Sequence, residues 1–75
     1  MTVARILIWS LFDSKTTLDE LREKLPDLPD GDVWVSNAAA DRFGLISFGD
    51  GLPDLTDVRA LIGREPEVFE EFDVE

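Results

Sequence analysis

The chain has no cysteine, no histidine and no tyrosine among its 75 residues. Without cysteine there is no disulfide framework, no thiolate metal site and no thiol nucleophile. Without histidine the usual general base and the commonest metal ligand are both missing. Basic residues are also scarce: seven, only two of them lysine, against 17 carboxylates, for a net charge of −10. Such a chain repels phosphate backbones, so nucleic acid is not an expected partner. No apolar run approaches the roughly 18 residues that span a bilayer. The first residues, Met1 to Arg5, lead straight into an apolar stretch with no signal-peptide pattern. The expectation is a cytoplasmic protein with no membrane partner, one domain over residues 1–75, and a core small enough that self-association would help it.

What is present begins with Arg5 to Phe12, a first strand that is apolar on both of its alternate faces. Thr17-Leu18-Asp19-Glu20 forms a capping box, and Leu18, Leu21 and Leu25 recur at helical spacing up to Pro26. A helix is predicted over 18–25. After a turn-rich connection, Val33 to Ser36 and Phe43 to Phe48 are predicted strands. Leu55, Val58, Leu61 and Ile62 fit a second short helix, with Asp54 or Thr56 as N-cap and Gly63 just past its end. Residues 67–74 alternate loosely as a last strand. The order strand, helix, strand, strand, helix, strand fits an α+β, ferredoxin-like βαββαβ sandwich: an antiparallel sheet of order 4-1-3-2 with both helices on one face.

That architecture leaves one sheet face without a cover from its own chain. With Ile6 and Ile8 placed under the helices, Leu7, Trp9, Leu11, Phe43 and Leu45 fall on the open side. Their combined apolar surface exceeds the few hundred Å² that a monomer normally exposes. The expected function is a non-catalytic interaction module that pairs with itself or docks on a larger protein.

Arg42-Phe43-Gly44-Leu45-Ile46-Ser47-Phe48 is similar to the third-strand signature of RNA-recognition motifs. Ile6-Leu7-Ile8-Trp9-Ser10-Leu11 resembles that family's first-strand signature. The resemblance implies the same topology and an open sheet face on which bases stack. It departs where that chemistry lies. Asp41 and Arg42 stand where the family has a basic residue and a glycine, and Leu7 and Leu45 stand at stacking positions, leaving Phe43 alone. The similarity is therefore read as shared topology, reused for protein contact.

Two further candidates come from polar residues. Lys15, Thr16 and Thr17 sit in the loop before the first helix, where a small anion could dock. This loop and the cleft between sheet and helices are the natural place for the competing function, a small-ligand domain or cofactor-free enzyme. No catalytic residue and no cofactor is assigned. The topology also gathers Asp27, Asp30, Asp32, Asp50, Asp54, Asp73 and Glu75 at one end, away from Lys15, Arg42 and Arg64. The first five are weak candidates for a hard cation, but they lack the ligand spacing of a calcium loop, and turn and helix capping accounts for most of them. Gathered carboxylates repel, so added salt or divalent cation should raise the melting temperature. A melting temperature that stays flat or falls between low and moderate salt contradicts the clustering.

Overall fold

Six elements alternate along the chain in the computed structural model, which describes residues 2–49 and 54–75. They are β1 (Thr2–Ser10), α1 (Leu18–Lys24), β2 (Val33–Ser36), β3 (Arg42–Phe48), α2 (Thr56–Ile62) and β4 (Val68–Val74). The strands form one four-stranded antiparallel sheet in the order β2-β3-β1-β4, which is β4-β1-β3-β2 read from the other edge.

Local chemistry accounts for the helix ends. The Thr17 hydroxyl accepts the Glu20 amide at 3.2 Å, closing the first turn of α1. Leu25 is already extended, as the residue before a proline must be, so α1 stops at Lys24. At the end of α2, Gly63 takes a left-handed φ of 81° and donates its amide to the Arg59 carbonyl at 2.7 Å. The N-cap position of α2 is Leu55, between the two polar residues expected there; Asp54 instead accepts from the Thr56 amide and hydroxyl.

β1 starts three residues earlier than its apolar run and ends two residues sooner. Thr2, Val3 and Ala4 pair with β4, and Ala4 also pairs with Phe48 of β3, which extends the ladder backwards. At the other end Ser10 Oγ accepts the Phe12 amide and Asp13 adopts φ 58°, turning the chain away.

The register decides which side chains share a face, because directly opposed residues in an antiparallel pair point the same way. Leu7 faces Leu45 and Trp9 faces Phe43, and all four are at most 2% exposed. They join Leu18 and Leu21 of α1 and Leu55, Val58 and Ile62 beside and along α2 in a single core. The expected facing is therefore corrected: Leu7, Trp9, Phe43 and Leu45 lie under the helices, and Leu11 packs against the same core. The reason is size and hydrogen bonding together. Burying the bulkier set removes more apolar area from water. It also lets the Trp9 indole N–H donate to the Arg64 carbonyl at 3.1 Å, just beyond α2.

Trp34 of β2 enters the same layer, stacked on Phe43 with centroids 5.3 Å apart, and Phe43 lies 6.5 Å from Trp9. The Trp34 indole donates to the Pro26 carbonyl, just beyond α1, at 3.4 Å. One end of this layer is polar. Ser47, fully buried, donates to Asp32 Oδ2 at 2.8 Å, and Arg5 reaches the Gly49 carbonyl at 2.7 Å.

Trp9→Ala should lower the unfolding free energy by about 3–5 kcal/mol. For a chain of this length the whole is on the order of 4–11 kcal/mol. Phe72→Ala, on the opposite face, should cost under about 1 kcal/mol. Urea unfolding followed by circular dichroism compares them, and equal losses would contradict the assigned facing.

Candidate functional site

The side of the sheet away from the helices is the candidate site. Ladder register assigns to it Ile6 and Ile8 of β1, Val33 and Val35 of β2, Gly44, Ile46 and Phe48 of β3, and Val68, Phe72 and Val74 of β4. Phe48, Phe72 and Val33 remain 44%, 47% and 46% exposed. Among the described strand residues, Glu70 and Arg42 are the charged side chains on this face. In a chain of net charge −10, that makes it a charge-poor patch.

The face has relief. At one end Ala4 sits between its two register partners Phe48 and Phe72, and these rings leave it 8% exposed. At the other end Gly44 lies between Ile8 and Val35. A Cβ on Gly44 would come within 2.6 Å of Ile8 Cδ1 and of the Leu7 carbonyl oxygen. This glycine therefore makes room for neighbouring side chains on the open face; it is not a seat for a helix. Beside it, at the end of the sheet, is a hollow of about 310 Å³ lined by Ile8, Val35 and Arg42 of this face and by Ser36, Asn37 and Phe43.

The other candidates are placed as follows. Thr16 is buried and its hydroxyl donates to the Leu61 carbonyl, tying the loop after β1 to the last turn of α2. The Thr17 hydroxyl is occupied as the cap of α1, and Lys15 is exposed. The two hydroxyls of the expected anion site are thus spent on structure. Asp32 caps the end of β3, accepting from the Ser47 hydroxyl and the Phe48 amide, and Asp54 caps Thr56. Asp27 and Asp30 lie in the connection between α1 and β2, and Asp50 falls outside the described residues. Among the described residues, no three carboxylates converge to hold an ion.

A surface groove of about 710 Å³ lies between the loop after β1 and the turn joining β2 to β3. Several of its polar groups are mutually engaged. Asn37 Oδ1 accepts the Asp41 and Arg42 amides, Asn37 Nδ2 donates to Asp41, and Arg22 pairs with Asp19. Among the described residues, no buried side-chain nitrogen or oxygen lacks a partner, so the helix–sheet interior presents no orphaned polar group to a ligand.

The aromatic that the RNA-recognition resemblance leaves in place, Phe43, is 2% exposed and stacked on Trp34. It has no free ring face for a base. Sequence reasoning missed Phe48 and Phe72 because it assigned the two faces of β1 the wrong way round. The signal was the placement of small residues: Ala4 and Gly44 share one parity and the bulkiest side chains the other. No protein-family model matches the chain, and comparison with curated proteins finds no match. No helix among the described residues is long and apolar enough to cross a membrane.

The carboxyl of Asp54 is held below its ordinary value, chiefly by the Thr56 hydroxyl at 2.6 Å, then by the Thr56 amide, with a smaller attraction from Arg59. A carboxyl depressed in the folded state stabilises above the normal aspartate range and loses that contribution as pH falls through the folded value. Asp54→Ala should therefore destabilise the fold at neutral pH, and the difference from the parent should shrink on acidification. Urea midpoints at neutral and acid pH check this; a gap that widens in acid refutes it.

Proposed function

We propose that the chain is a ferredoxin-like βαββαβ sandwich working as a non-catalytic protein-interaction module in the cytoplasm. It docks, on itself or on a larger protein, through the sheet face that carries Ile6, Ile46, Val33, Phe48 and Phe72. The observation that carries this reading is the contrast between the two sheet faces. On one, Leu7, Trp9, Phe43 and Leu45 are buried beneath the helices, with Phe69 of the edge strand β4 left half-exposed beside them; the other is apolar too, holds two half-exposed phenylalanines and has no covering element among the described residues. Apolar patches of this kind mark sites of association. The competing small-ligand reading has less support, because Thr16 and Thr17 are engaged in holding the helices.

A photoreactive side chain installed at position 46 tests the reading in the native host. The expected result is one discrete protein adduct from position 46 and none from position 23, on the exposed surface of α1. No adduct from position 46, or the same adducts from both positions, would overturn it.

A further inference from the structure

Resting on the docking reading above, we infer that a second copy of this chain covers the open face, about a two-fold axis across the strands at the level of Ile6 and Ile46. Three observations favour a second copy.

The first is area. The exposed parts of the face amount to on the order of 500 Å² per copy, given about 150–250 Å² for each whole aromatic side chain. A pair then buries about 1,000 Å², the lower bound of a specific interface. That size suits a small symmetric dimer.

The second is relief. Phe48 lies four residues along β3 from Gly44, about 13 Å at 3.3 Å per residue. An axis across the strands exchanges the two ends of the face, so the Phe48 ring of each copy meets the hollow beside Gly44 of the other. The hollow, about 310 Å³, compares with the ~150 Å³ of a cavity that accepts benzene. Arg42 at its rim can place a guanidinium over the incoming ring. An axis along the strands would instead keep Phe48 at its own end of the face, against Phe48, Ala4 or Phe72 of the other copy, and leave both hollows empty. The surface is self-complementary in one orientation, as an isologous contact requires.

The third is charge. A partner chosen for basicity would be recognised through carboxylates, yet among the described strand residues this face offers one, Glu70, on the edge strand β4. The other two carboxylates of β4, Glu71 and Asp73, are on the helix side, and salt screens the repulsion between two acidic copies. The axis brings Glu70 of the two copies towards each other, so this residue sets the strength of the pairing.

Sedimentation equilibrium of the intact chain from micromolar to millimolar concentration tests the inference. The expected result is a dimer that tightens with added salt, weakens at least about tenfold in Ile46→Asp, and tightens in Glu70→Gln. The Glu70→Gln change does not threaten the fold, so it remains informative if Ile46→Asp unfolds. In a mixture of isotope-labelled and unlabelled chains, intermolecular NOEs should join the Phe48 ring to the Ile8 and Val35 methyls. A single-chain mass throughout overturns the inference, as does a dimer without those NOEs or one that Glu70→Gln leaves unchanged. A single-chain mass with a photoadduct to another protein overturns the self-pairing alone; a single-chain mass with no adduct overturns the docking reading too.

Discussion

Two indole N–H groups hold the helices to the sheet. Trp9, in the central strand β1, donates to the Arg64 carbonyl, and Trp34, in the edge strand β2, donates to the Pro26 carbonyl. Each acceptor lies just beyond the C-terminus of a helix, so each bond fixes the exit of α2 or of α1 above the sheet. Phe43 lies between the two indoles and joins them into one aromatic row beneath the helices. Helices of seven residues have little intrinsic stability, and the packing of their apolar stripes is what keeps them formed. With Trp9 fully buried and hydrogen-bonded, the rest of β1 has no freedom of facing.

The open face follows from that constraint. Once the bulkier parity of β1 and β3 is committed to the helices, Ile6, Ile8, Ile46 and Phe48 must turn to the other side. Among the described residues no element forms a second layer there. Its charge is arranged accordingly: Glu71 and Asp73 are on the helix side of β4, and Arg5 engages Glu71 at 3.4 Å. Every residue of β4 is exposed, and the carboxylates along it discourage further strand addition at that edge. An apolar face bounded by a charged edge favours contact between faces over contact between edges.

Much of this was legible locally. The capping threonine, the proline that ends α1 and the glycine that ends α2 act within one turn of their own positions, so their effects can be read without tertiary context. Strand existence was equally plain from the β-branched and aromatic runs. The boundaries of β1 were less so, because Thr2 and Val3 become strand only by pairing with β4. The candidate polar sites dissolved for a related reason. The hydroxyls and carboxylates picked out as ligands are the groups that cap helices and strand ends, and only their partners distinguish the two uses.

The facing of the sheet was the one large matter that pattern could not settle. When both parities of a strand are apolar, alternation identifies two sets and says nothing about which is covered. The sequence alone determined the number, type and order of the elements, the absence of thiol and imidazole chemistry, and the presence of one apolar face more than the helices can cover. Tertiary structure alone decided which face that is. The decision needed carbonyl oxygens at Pro26 and Arg64 to be brought within reach of two indoles, and those oxygens lie 8 and 55 residues away along the chain.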